Sequence, residues 1–297
     1  MRTERIAEDI YIFTSEIYAH VTATAILTEE GAILIDTLPL PEESREMAAF
    51  VRRRSPEGVR YVINTHFHAD HVNGTYLYPE AHVIAHRRCR EFLLTFGQEA
   101  LNAAKAENPA LEEVELVIPN IVFDHELALR LGNHLLYLLH LPGHTPDNIG
   151  VIIEGNRVLI AGDAVLPVPY FTWDPNVPRN AWGDWQTLYH TLQRIREMNL
   201  EAIVQGHGDV LLRGEIPYIL QDQMQYLDCL HEKAQALLDV EDVRAAITDS
   251  IPEDCAFDTE ERKSSISSIP LDGLVRYMHQ ANLMRMYTEL KEQQATA

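Results

Sequence analysis

Residues 65–71 read Thr-His-Phe-His-Ala-Asp-His and follow directly on the apolar run 59–64. No other stretch limits the fold as strongly. Four potential metal ligands, His66, His68, Asp70 and His71, fall within six residues at the end of an expected strand. Side chains two apart in an extended chain project to one side, so His66 and His68 can share an ion. Asp70 and His71 lie beyond the bend, where the chain turns into a helix near Val72-Asn73-Gly74, and can face a second ion. At this composition, an H-x-H-x-D-H string arises by chance in roughly one of several hundred chains.

Three more donors stand at the ends of later strands. His144 follows the run 135–141 in LPGHT, Asp163 follows 158–161 in AGDAV, and His207 follows 201–205 in QGHGD. Each has a glycine beside it, which permits tight turns and close backbone approach. A lone His or Asp after a strand is usually a turn or hydrogen-bonded residue. Five His and two Asp after four strands form a joint pattern that reads as a metal site, built the way α/β enzymes collect groups at strand ends.

Short β-branched or apolar runs at 10–14, 22–28, 32–36, 59–64 and 81–85 predict strands, as do 127–131, 135–141, 149–153, 158–161 and 201–205. Helices are expected over 41–54, 87–96, 99–107 and 185–198, and through most of the chain beyond Gly214, interrupted by the polar stretch 258–268. Each half therefore reads as strands followed by helix, which suits an α/β sandwich.

The balance of 45 acidic against 24 basic side chains gives a formal net charge of −21. Such a chain repels phosphate backbones and anionic lipid, so neither nucleic acid nor membrane is an expected partner. No apolar run reaches the ~18 residues of a membrane span, and MRTERIAEDIYIF lacks the apolar core of a signal peptide. Cys89, Cys229 and Cys255 are odd in number and widely spaced. They read as reduced thiols of a cytoplasmic protein.

In its T-H-x-H-x-D-H signature, followed in order by the GHT histidine, the GD aspartate and the late GH histidine, the chain resembles the metallo-β-lactamase superfamily over roughly residues 8–212. The resemblance implies a four-layer αββα sandwich with a dinuclear metal site along one edge of its two sheets. It also implies a catalytic domain over 1–212 and a helical C-terminal extension, 213–297, packed on it. His66, His68 and His144 would hold the first metal, and Asp70, His71 and His207 the second, with Asp163 bridging both. Asp36, in ILIDT, matches an aspartate that supports the histidine loop. Imidazole and carboxylate donors suit two zinc ions, with iron or manganese as alternatives. Two such ions would share a hydroxide that attacks an electrophilic centre, with Asp70 orienting it or taking its proton. No G-x-S-x-G, GxGxxG or P-loop motif offers a competing chemistry.

The expected activity is hydrolysis of a small carboxylic ester, thioester or lactone. Phosphodiester hydrolysis and a weak β-lactamase activity are the alternatives, and a metal-binding protein without hydrolytic activity is a third class. The bridging Asp163 separates the chain from the antibiotic-hydrolysing branch. Leu166 stands where lactonase-like members carry a tyrosine, and the C-terminal segment lacks the basic cluster of glyoxalase II-like members. The loop 166–184 offers Tyr170, Phe171, Trp173 and Trp182 as an apolar wall for substrate. Tyr18 and His20, on the 15–21 hairpin, occupy the position of the mobile loop over family active sites. Leu274, Tyr277, Ala281, Met284 and Tyr287 recur at helical spacing, a stripe for packing on the sandwich or for a homodimer contact, either of which could place a helix over the pocket and narrow the substrate range.

Overall fold

Strand β4 (Gly31–Ile35) is GAILI, with no polar residue and every position buried. Such a run belongs to a strand covered on both faces. Ile33 and Ile35 face a core shared with the second sheet, whereas Ala32 and Leu34 face a helix-side core. In the computed structural model, which describes residues 1–171, 177–255 and 271–296, β4 lies in the middle of a seven-stranded sheet. Its order is β1 (Arg2–Ala7), β2 (Ile10–Thr14), β3 (Thr22–Thr28), β4, β5 (Val59–Ile63), β6 (His82–His86) and β7 (Ile121–Phe123). The first four strands pair antiparallel and the last four parallel.

The second sheet runs β13 (Val210–Leu212), β12 (Ala202–Val204), β11 (Val158–Ile160), β10 (Ile149–Ile153), β9 (His134–His140) and β8 (Glu126–Leu131). Only β11 and β12 pair parallel. Isoleucine dominates the layer between the sheets, where Ile10, Ile12, Ile63 and Ile84 meet Leu136, Leu138, Val151 and Val204. Helix α1 (Pro41–Arg54) covers the first sheet through Met47, Ala48 and Val51. Its proline in the first turn, Glu42 and Glu43 after it, and Arg52–Arg54 in the last turn all suit the helix dipole. After the short α2 (Ala69–Val72), helices α3 (Arg87–Phe92) and α4 (Gln98–Glu107) are joined by a π turn at Leu93–Gly97. Helix α5 (Trp185–Arg196) starts on Asp184, whose carboxylate accepts from the Thr187 amide at 2.6 Å.

Helices α5, α6 (Ile216–Ala236) and α8 (Leu271–Thr296) share one core with the outer face of the second sheet, and α7 (Val243–Asp249) packs at its margin. The result is the expected αββα sandwich with a C-terminal helix. Three strands were not anticipated. β1 is a polar, exposed edge strand without an apolar alternation, and β7 and β13 are three residues each, too short for a period to register. The polar stretch 258–268 lies outside the described residues. No helix among the described residues is long and apolar enough to cross a membrane.

The cysteine expectation is corrected. Cys229 on α6 and Cys255 form a disulfide, with Cα atoms 5.6 Å apart, and only Cys89 is a buried thiol. Twenty-six residues separate the pair, and it is the turn-back of the chain after α6 that closes the gap. Such a bond persists in oxidising surroundings. Thiol titration of the denatured, unreduced protein is expected to read one thiol per chain; three would dismiss the bridge.

Helix α8 is anchored by a fully buried histidine. His279 meets Tyr226 Oη through Nδ1 at 3.0 Å and Ser250 Oγ through Nε2 at 2.8 Å. Burial, with Lys233 nearby, pushes its pKa down to about 4. The unfolded chain takes that proton near pH 6.5 and the folded chain only near 4, so stability is present above 6.5 and drains as pH falls through that window. Denaturant midpoints are therefore expected to drop between pH 6.5 and 4.5, and less steeply in His279→Gln. An equal slope in the variant would remove His279 as a cause.

Candidate active site

The site forms where the strand ends of both sheets meet. Asp36 follows β4 with a left-handed backbone, φ 59°, a conformation that costs a non-glycine residue energy and recurs at functional positions. The turn aims its carboxylate at the histidine loop. Oδ1 accepts from the Thr65 amide at 2.8 Å, and Oδ2 accepts from Thr65 Oγ1 at 2.7 Å and meets His71 Nδ1 at 2.8 Å. His71 thereby points Nε2 into the site. The same logic orients two more rings, since His144 Nδ1 donates to the Tyr170 carbonyl (2.7 Å) and His207 Nδ1 to the Ala19 carbonyl (2.8 Å).

Asp163 sits at the centre. Its Oδ1 is 3.2 Å from His71 Nε2; its Oδ2 is 3.2 Å from His144 Nε2, 3.6 Å from His207 Nε2 and 3.8 Å from His66 Nε2. His68 turns Nδ1 to within 2.9 Å of His66 Nε2 and 3.1 Å of His144 Nε2. Asp70 Oδ2 lies 3.3 Å from His207 Nε2 and 3.8 Å from His71 Nε2. The donor atoms fall into two groups, His66, His68, His144 and Asp163 on one side and Asp70, His71 and His207 on the other, each group within 4.8 Å.

Two glycines leave room for this carboxylate. A Cβ on Gly162 (φ 53°) would stand 2.7 Å from Thr65 Cβ, and one on Gly206 would overlap Asp163 Oδ1 itself. Asn148 completes the support, accepting from the Asp163 amide at 3.1 Å while donating to the Leu141 and Ala161 carbonyls.

The site's charge is out of balance. Burial and the charge of His71 hold His66 well below its ordinary pKa, and burial together with His144 pushes His68 down to about 3. Burial lowers His144 as well. Burial also opposes charge on His71 and His207, yet the carboxylates outweigh it: Asp163, Asp36 and Asp70 raise His71 well above its usual value, and Asp163 and Asp70 raise His207 to about 10. Burial opposes ionisation of Asp70 and Asp163, yet His71 and His207 hold both well below the carboxylate range. Three buried or half-buried carboxylates thus demand positive charge at this spot. Two of the buried atoms, His71 Nε2 and Asp163 Oδ1, face each other at 3.2 Å without the geometry of a hydrogen bond.

A cavity of about 230 Å³ opens onto this cluster, with His68, Asp70, His144, Asp163 and His207 at its polar end. Tyr18 and Tyr170 line it. Burial with the charges of Asp70 and Asp163 raises the Tyr18 phenol to about 12, Asp70 acting most strongly. The other expected contacts lie elsewhere. Phe171 is 1% exposed and packs in the α5–α6 core, where a large ring gains most by burial. Trp182 donates to the Val177 carbonyl at 3.1 Å and receives the Arg285 guanidinium over its ring. His20 is buried, its carbonyl accepting from the Gly208 amide. Trp173 lies outside the described residues.

Two further groups line the cavity, Leu166, Pro167 and Val168 of the loop and Leu274, Val275, Tyr277 and Met278 of α8. Two buried amides grip the loop between them. Gln223 of α6 donates to the Leu166 carbonyl (2.6 Å), and Asn282 of α8 donates to the Pro169 carbonyl (2.8 Å) and accepts from the Phe171 amide (3.4 Å). That grip brackets Tyr170, whose carbonyl orients His144. A polar residue within an apolar helical stripe is the available signal, and Asn282 has it.

A sequence model described as the metallo-beta-lactamase superfamily matches residues 19–207. The chain is 21% identical over 242 residues to a linear primary-alkylsulfatase of Pseudomonas sp. (strain ATCC 19151), covering 69% of this chain and 44% of that protein. It is 27% identical over 222 residues to an N-acyl homoserine lactonase of Bacillus sp., covering 63% and 80%. The chain thus spans less than half the length of the alkylsulfatase. Among solved structures, a sec-alkylsulfatase from Pseudomonas sp. superposes with a TM-score of 0.69 at 16% identity, over 97% of this chain and 50% of that one.

Proposed function

The chain belongs to the metallo-β-lactamase superfamily, and from that premise we propose that it is a dinuclear metal-dependent hydrolase of small, neutral carboxylic esters, thioesters or lactones. One observation carries the reading: a single carboxylate, Asp163, lies within 3.2 Å of histidines from both donor groups, His71 through Oδ1 and His144 through Oδ2, with His207 also 3.6 Å from Oδ2. His66, His68 and His144 would hold one ion and Asp70, His71 and His207 the second, with Asp163 between them. The residues fit such ions, because the orphaned His71 Nε2 and Asp163 Oδ1 gain partners and the excess carboxylate charge is met. Imidazole and carboxylate donors suit zinc, with iron or manganese as alternatives. Bound divalent ions supply Lewis acidity, which polarises a carbonyl and acidifies water.

The chain's own groups do the rest. Asp70, ionised and beside His207, orients the attacking water. Tyr18, which lines the cavity, donates its phenolic hydrogen to the polar end of the substrate. Residues 1–212 supply every proposed ligand, and the helices beyond 213 supply one wall of the cavity. That division of labour is how we read the two-part organisation.

The substrate class follows from charge. Among the described residues no Lys or Arg lines the cavity, so an anionic head group meets no fixed counter-charge from them, whereas a neutral carbonyl needs none. Hydrolysis of an alkyl sulfate is the second reading, favoured by the superposition over 97% of the chain. The missing counter-charge places it after the carbonyl class, and phosphodiesters share that difficulty. Assays of the metal-loaded protein on ester, thioester, lactone, β-lactam, alkyl sulfate and phosphodiester panels decide. The highest kcat/KM is expected within the first three, and a higher value on sulfate or phosphodiester overturns the assignment.

A further inference from the structure

We propose that α8 and the 166–168 segment form a slot for an unbranched apolar acyl chain, with Leu274 and Met278 setting the chain length accepted. The proposal rests on the ester reading for the bond cleaved, and on the cavity alone for the chain.

Helix α8 uses two faces. His279, Asn282, Leu283 and Met286 are buried toward the α6 side and anchor it. Leu274, Val275 and Met278, related by spacings of three and four, turn a second stripe to the cavity. Leu274 and Tyr277 are 39% and 59% exposed, too open for core residues of this size. They stand beside the metal-ligand candidates, the placement over the pocket that the helical stripe allows. Leu166, Pro167 and Val168 line the same cavity and are apolar, with the Leu166 carbonyl held by the buried Gln223 amide.

The cavity's lining is therefore of two kinds: imidazoles and carboxylates from the metal-ligand candidates, and aliphatic side chains with no cation among the described residues. A reacting carbonyl at the imidazoles and carboxylates lays its acyl chain against the aliphatic lining. Each methylene moved from water to such a lining strengthens binding about fourfold. A charged chain loses that gain to desolvation.

Two measurements test the slot, one on turnover and one on binding. p-Nitrophenyl esters from acetyl to dodecanoyl are compared by kcat/KM on the metal-loaded protein, and 1-alkanols of four to ten carbons are titrated by calorimetry. The expected result is a rise of about fourfold per methylene up to an intermediate length, then a plateau or fall. Leu274→Trp, at a part-exposed site that tolerates bulk, lowers the octanoyl-to-acetyl ratio at least tenfold and weakens the longer alkanols. Met278→Ala moves the optimum to longer chains. Esters cleaved with a flat chain-length profile, or with ratios that both variants leave in place, overturn the slot and spare the ester reading. Alkanol affinity that climbs with length and falls in Leu274→Trp, with no ester cleaved, upholds the slot and overturns the ester reading. No ester turnover together with length-independent alkanol binding overturns both.

Discussion

Asp163→Ala is expected to lower kcat/KM on the best carbonyl substrate by about 10³-fold or more, and to leave fewer than two ions per chain. The size follows from its place. Its two oxygens approach four histidine Nε2 atoms between 3.2 and 3.8 Å, so one substitution removes a ligand from both proposed positions at once. Several kcal/mol of charge stabilisation disappear with it, and each 1.4 kcal/mol is a factor of ten in rate. Asp163→Asn separates charge from shape: it keeps one oxygen and the volume, and should retain one ion more readily than the alanine variant. Full activity in either variant, with metal content read by elemental analysis of the same sample, would refute the bridging role.

Asp36→Ala should also be damaging, although Asp36 is proposed to touch neither ion nor substrate. Its carboxylate receives the Thr65 amide, Thr65 Oγ1 and His71 Nδ1, all within 2.8 Å. Alanine leaves a buried amide and a buried ring nitrogen without partners, at about 1–3 kcal/mol each. It also frees His71 to rotate, and loss of such a supporting contact costs on the order of 10–100-fold in metal affinity or activity. The position already stores backbone strain, with φ 59°, and the three hydrogen bonds hold it there. The expected result is a lower denaturant midpoint together with weaker metal retention. A variant that loses stability but keeps metal affinity and kcat/KM would make Asp36 a folding residue only.

The sandwich was readable because its interior strands carry unbroken apolar runs and its helices carry apolar stripes. GAILI at 31–35 needs cover on both faces, and it has it. Edge strands escape that logic. RTERIA at β1 faces water and pairs through its backbone, which leaves no trace in side-chain pattern. Among the site residues, the seven ligand candidates announced themselves by chemistry and by strand-end position, and the fold gathers them around one carboxylate. Aromatic content proved a poor guide to the cavity wall. Phe171 went to the core, whereas Leu274 and Met278, ordinary members of a helical stripe, line the cavity. A helix period reveals which residues share a face but not what that face meets. What Gln223 and Asn282 hold was not legible for the same reason: their partners are backbone carbonyls more than 50 residues away in sequence. The disulfide, too, depends on a turn-back of the chain that spacing does not encode.

The acidic excess of −21 gains a local exception under this account, since two divalent ions would make the floor of the cavity its most positive point. The central claim is that the seven side chains hold two ions, and counting them is the most direct test. Native mass spectrometry, paired with elemental analysis of protein purified without chelator and reloaded with zinc, is predicted to find two ions per chain. Asp163→Ala is predicted to fall below two in the same experiment. Fewer than one tightly bound transition-metal ion in the unsubstituted protein would contradict the account.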